Sequence, residues 1–181
     1  MLDFKKNYFE LFGLPVSYVV DMDRLATRYR ELQRVMHPDR YASASDYERR
    51  LSIQGATQVN QAHETLKDPI QRARYMLSLN GMDVSADNET TKDAAFLMEQ
   101  LELREELEEA RGKPDPYAAI SELMGGINRR INSLTGQMAV QFETGQPEQL
   151  EAAKETLRKM QFLQKLRDDA ESIETELDEV L

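Results

Sequence analysis

His37-Pro38-Asp39 places an imidazole and a carboxylate on either side of a rigid residue. Proline fixes its own φ, has no N–H to donate and biases the residue before it away from the helical region. A helix arriving from upstream therefore stops at or just before His37, and both polar side chains stand on an exposed turn. Asp39 comes too early to cap the next helix, so neither group has a local task. A carboxylate so presented is a good acceptor for the planar fork of an arginine on another protein. The chemistry to expect is recognition, not bond-making. With two histidines and no cysteine in 181 residues, there is no thiol nucleophile, thiolate metal site or disulfide framework. No glycine-rich phosphate loop follows a strand pattern, and no carboxylate pair lies in an apolar setting. Glu102, Glu105 and Glu109 share an exposed ridge without the loop geometry of a calcium site. His63 lies alone in a long helix and is assigned no chemistry. No enzymatic activity, cofactor or metal is expected.

The elements that must position the bend are helical. Asp21 can cap a helix whose first turn holds Asp23, where a negative charge suits the dipole. Along it Leu25, Tyr29, Leu32 and Met36 fall on one narrow stripe. Arg30 and Arg34 lie roughly opposite, with Arg24 and Arg28 flanking one side. Glu31 and Asp23 are the only acids there, so the alternating sign of a self-satisfied surface is missing and the arginines are expected to face a partner. Downstream, Ser45 and Glu48 form a capping box for a long helix with Leu51, Val59, Ala62 and Leu66 on one face. Asp68-Pro69 then supplies a cap and a first-turn proline for a short helix through Leu77. A short apolar segment, Tyr8 to Phe12, precedes them all.

Composition agrees with an all-α chain: charged residues make up 31 %, and Gly and Pro are sparse. No N-terminal apolar run suggests a secretory signal, no stretch approaches a membrane span, and a reducing cytoplasm suits a chain without cysteine. The net charge of −10 is uneven. Met1 to Asn80 carries 12 Lys and Arg against 10 Asp and Glu, or +2, and the remaining 101 residues carry 11 against 23, or −12. Two domains with different partners fit this asymmetry, and it disfavours nucleic acid.

Beyond Asn80-Gly81 and a polar run, the segment from Lys92 to Ala110 reads as a helix with two apolar stripes. Phe96, Leu103, Leu107 and Ala110 share one face; Leu97, Met98 and Leu101 sit on another, beside Glu102, Glu105 and Glu109. The second stripe is either a wide core face or an acid-rimmed docking patch. Gly112 to Pro116 turns the chain into a helix with Ile120, Leu123, Ile127, Ile131, Leu134 and Met138 as its seam. Gly145-Gln146-Pro147 turns it again into a last helix carrying Leu150, Ala153, Leu157, Met160, Leu163, Ala170, Ile173 and Leu177. Phe162 lies off that stripe.

Tyr8 to Leu14, the arginine helix, His37-Pro38-Asp39, Val59-Asn60-Gln61-Ala62, Leu66-Lys67-Asp68-Pro69 and Arg72-Ala73-Arg74-Tyr75 together resemble a J domain, the DnaJ-type activator of DnaK-class chaperones. No Gly/Phe-rich linker or repeated cysteine pairs follow. The acidic helical remainder, with Phe96 to Leu107, makes the whole chain similar to the HscB family of J-type co-chaperones in iron-sulfur cluster biogenesis. The resemblance implies a J domain over 1–79, a linker over 80–91 and an antiparallel three-helix bundle over 92–181 that binds the scaffold. It implies that His37, Pro38, Asp39, Arg24, Arg28, Arg30, Arg34 and Arg40 meet an HscA-like chaperone and stimulate its ATPase. Leu97, Met98, Leu101, Glu102, Glu105, Glu109 and Phe162 would hold an IscU-like scaffold protein. Arg40 stands where J domains often have lysine. An alternative is a non-stimulating helical adaptor with a J-like hairpin; a rival account of Phe162 is a wedge between the two domains.

Overall fold

The helices ahead of the last are opened by side chains that the chain supplies just before them. In the computed structural model, which describes residues 3, 5–41, 44–84, 91 and 93–180, seven α-helices and one 3₁₀ turn are found among the described residues. Asn7 and Glu10 form a capping box for α1, Tyr8–Phe12, and Gly13 ends it at φ 63°, a conformation that costs glycine little. The Asp21 carboxylate accepts the Arg24 N–H at 2.9 Å to start α2, Met22–Met36. Ser45 and Glu48 close a reciprocal pair of bonds at the start of α3, Asp46–Lys67. Asp68 accepts the Gln71 N–H at 2.7 Å at the start of α4, Pro69–Leu79. Caps of this type contribute about 1 kcal/mol each. Asp93 and Asp115 cap α5, Ala94–Arg111, and α6, Pro116–Thr144, and Gly145 at φ 61° turns the chain into α7, Pro147–Val180.

The contacts divide the chain into two compact units, Met1–Leu79 and Asn80–Leu181. In the first, α2 and α3 are the main packed pair, with Phe9, Phe12, Leu25, Met36, Val59, Ala62, Leu66 and Leu77 in the core. Tyr8 and Tyr75 stack with ring centroids 4.4 Å apart, and the Tyr8 N–H donates to the Tyr75 hydroxyl. Buried Arg72 donates to Leu66 O at 2.7 Å, meeting one of the carbonyls left free at the end of α3. The α3 seam departs from the sequence expectation. Leu51 is only half-buried, and Ser52 and Gly55 take the buried positions ahead of Val59. Tyr29 and Leu32 on α2 are also half-buried, leaving Leu25 and Met36 as its fully buried ends.

In the second unit α6 and α7 form the main pair, and α5 packs on both. The expected seams are buried except Leu134 and Leu177, which are half-buried, and Leu166 joins the core. Polar contacts fasten α5 and α6 to their neighbours: Lys159 with Asp93 at 2.6 Å, Arg130 with Glu99 at 2.8 Å, Arg111 with Glu176, and the Tyr117 hydroxyl donating to Asp178 at 2.7 Å. The helix expected from Lys92 begins at Ala94. Half of the expected linker, 85–90, lies outside the described residues, as do Lys92 and the terminal Leu181.

Candidate functional site

α2 ends at Met36, and His37, with ψ 127°, has left the helical path. The bend is tighter than an irregular loop, because Pro38–Tyr41 forms a 3₁₀ turn closed by the Arg40 N–H donating to His37 O at 3.0 Å. The His37 and Asp39 side chains remain 59 % and 89 % exposed. His37 Nδ1 accepts the Asp39 N–H at 3.3 Å and lies 3.6 Å from its carboxylate, so the imidazole leans on the turn while the carboxylate stays in solvent.

The arginines of α2 do not act as one set. Arg24 donates to Gly13 O at 2.8 Å and Arg28 to Phe12 O at 3.2 Å, so both close the carbonyl end of α1. Arg28 also pairs with Glu31 at 2.6 Å. The guanidinium groups of these two thus already serve internal acceptors, while both residues stay exposed. Arg30 and Arg34 join Arg40, His37, Gln33 and Asn60 around a groove of about 790 Å³ between α2 and α3. Among the described residues no carboxylate lines it. The nearest anchors of these arginines are neutral: Arg30 donates to Ala26 O, and Arg40 reaches Arg34 O at 3.4 Å. Guanidinium charge clustered around a groove that no carboxylate lines keeps an attraction for an outside anion.

A second polar group, invisible to periodicity, fixes the α2–α3 pair beside this groove. Tyr29 stacks on His63 with centroids 3.9 Å apart, donates to Asn60 Oδ1 at 3.0 Å and accepts from Gln33.

On α5, Phe96, Leu103, Leu107 and Ala110 are buried. Met98 and Leu101 are 59 % and 55 % exposed, Leu97 is half-buried, and Glu102, Glu105 and Glu109 are exposed. The second stripe is therefore an acid-rimmed apolar patch and not a wide core face. Phe162, on α7, meets the buried Phe96 ring edge-on, and the Arg104 guanidinium lies over the Phe162 ring, 5.4 Å from the centroid. Arg104 puts one positive charge inside the acidic ridge, a feature the sequence reading passed over. Among the described residues no group of three or more His, Cys, Asp or Glu could hold a metal ion, and no helix is long and apolar enough to cross a membrane.

Residues 92–171 match the HSCB C-terminal oligomerisation domain. Over 171 residues the chain is 46 % identical to the co-chaperone protein HscB homolog of Shewanella oneidensis, covering 94 % of this chain and 98 % of that one. The structure of chaperone HscB from Vibrio cholerae superposes with a TM-score of 0.83 at 39 % identity, over 95 % of this chain and 99 % of the other. The crystal structure of human co-chaperone protein HscB gives 0.84 at 30 % identity, over 93 % and 82 %. With likeness of this extent in both sequence and fold, the chain belongs to the HscB family of co-chaperones, a J domain followed by a helical bundle.

Proposed function

We propose that this co-chaperone stimulates ATP hydrolysis by an HscA-like, DnaK-class chaperone and delivers an IscU-like iron-sulfur scaffold protein to it. The observation that carries the reading is the pairing of an exposed His37–Asp39 bend with the groove of Arg30, Arg34 and Arg40, which no carboxylate lines among the described residues. Arginine charge of this kind steers an acidic partner surface and holds it in register. Asp39 then engages polar groups of the chaperone and binds its hydrolysis-competent arrangement more tightly than the resting one, which is the only way a binder can shift such an equilibrium. The hydrolysis itself belongs to the chaperone.

The scaffold is held by Leu97, Met98 and Leu101 with Glu102, Glu105, Glu109 and the rim of Phe162. Such a patch has the anatomy of a protein interface, apolar at its centre and charged at its edge. Residues 1–79 act as the J domain, 80–91 as the connection and 92–181 as the scaffold-binding bundle. Joining the two raises the local concentration of scaffold at the chaperone. No nucleic acid or membrane takes part, and a cytoplasmic setting is consistent with a chain that has no cysteine to oxidise. Steady-state ATP turnover of the chaperone, alone and with this protein, with the scaffold, and with both, tests the reading. Stimulation by the protein that rises further with scaffold is expected; turnover unchanged by the protein would leave only the adaptor role.

A further inference from the structure

The last peptide of α2 leads directly into the bend, and its carbonyl is held from another helix. Ser52 Oγ on α3 donates to Met36 O at 2.8 Å. Both residues are buried, at 2 % and 5 % exposure. Helix-final carbonyls have no partner within the helix. The amide four residues on from Met36 belongs to Arg40, and it donates to His37 O instead. The serine hydroxyl thus takes the place of the missing backbone donor. A hydroxyl in a buried seam otherwise made by Gly55, Val59, Ala62 and Leu66 adds nothing to apolar packing, whereas leaving that carbonyl unsatisfied is costly.

We propose that Ser52 is a positioning residue for the His37-Pro38-Asp39 bend, acting through the Met36–His37 peptide. Met36 O and the His37 N–H share one rigid plane, so a bond that fixes the carbonyl also fixes the plane from which the His37 side chain departs. Without the donor, the carbonyl turns toward water, the plane rotates, and the 3₁₀ turn that follows loses its single orientation. His37 and Asp39 then reach the chaperone in many arrangements, of which few are productive. The effect on turnover rests on the function proposed above; the effect on the bend does not.

The variants Ser52→Thr and Ser52→Val have nearly the same shape and differ in the donor, which separates the hydrogen bond from packing. Amide hydrogen exchange at Arg40, read by NMR in the full chain, reports the bend. Chaperone turnover, split into maximal stimulation and half-saturating concentration, reports its use. The valine variant is expected to exchange faster at Arg40 and to lose at least about fivefold in maximal stimulation, the low end for an unsatisfied buried carbonyl. Its half-saturating concentration is expected to change little, because Arg30 and Arg34 are untouched. The threonine variant is expected to match the wild type in both. Equal exchange at Arg40 in the two variants overturns the inference. Faster exchange in the valine variant alone supports it, even if the wild type proves unable to stimulate a chaperone, a result that would count against the function and not the bend. If circular dichroism shows the valine variant unfolded, Ser52→Ala against Ser52→Thr gives the same comparison of exchange.

Discussion

The rings of Phe96 and Phe162 meet edge to face, with centroids 5.7 Å apart and planes at 88°. Phe96 is a buried residue of α5, and Phe162 is half-buried on α7 with Arg104 over its ring. One aromatic residue thus joins two helices of the bundle and borders the proposed scaffold patch. A binding defect in a Phe162 variant therefore mixes lost contact with a loosened bundle.

Phe162→Ala should lower the stability of the second unit by about 1–3 kcal/mol, less than a fully buried phenylalanine would cost. Met98→Ala and Leu101→Ala should stay within about 0.5 kcal/mol of wild type, as exposed residues do. All three are expected to weaken the scaffold complex. Thermal unfolding beside calorimetric titration separates the cases: scaffold affinity unchanged in the Met98 and Leu101 variants would remove the patch from the account.

Arg24→Ala should cost about 0.5–1.5 kcal/mol in stability of the first unit, because it leaves Gly13 O without its guanidinium donor. Arg34→Ala should leave the unfolding midpoint unchanged. Its effect should be a higher half-saturating concentration for chaperone stimulation and a shallower dependence on salt. Denaturant melts and turnover at several ionic strengths test the division. A comparable loss of stability in both variants would contradict it.

Acid should weaken both units. The bond from Lys159, then the N–H of Phe96, holds the Asp93 carboxyl below its ordinary range, and Ser45, through hydroxyl and then backbone, does the same for Glu48. A carboxyl whose pKa is depressed on folding contributes stability that is fully present above the unfolded value. That contribution fades as pH falls through the folded one, so the window lies at and below about pH 4. Asp93→Asn and Glu48→Gln should therefore destabilise at pH 7 and approach wild type at pH 2 to 3. Melts recorded across that range check the sign; a gap that widened on acidification would reverse it.

The parts of the structure legible in the sequence are those set by neighbours along the chain. Pro38 stops α2 by its own geometry, Ser45 and Glu48 lie one turn apart, and the spacing of Phe96, Leu103, Leu107 and Ala110 names the buried face of α5. What escaped depends on partners distant in sequence or on residues that carry no apolar signal. Ser52 and Gly55 carry no apolar signal yet are buried, Ser52 against the Met36 carbonyl of α2, while the apolar Leu51 is only half-buried. Arg24 and Arg28 appear free because their acceptors are backbone carbonyls of α1, which no charge pattern records. The groove of Arg30, Arg34 and Arg40 escaped as well: helix periodicity sets Arg30 and Arg34 opposite the apolar stripe, yet they line a groove with Ala56 and Asn60 of α3, and Arg40 joins them from the 3₁₀ turn.

In the function proposed above, the exposed bend, and not the bulk of the J domain, switches the chaperone. The most direct test of that role is steady-state ATP turnover of the HscA-like chaperone with scaffold present, comparing wild type with His37→Gln at matched helix content and matched scaffold affinity. Loss of nearly all stimulation in the variant is the predicted result. A variant that folds, binds scaffold and still stimulates as the wild type does would contradict the account.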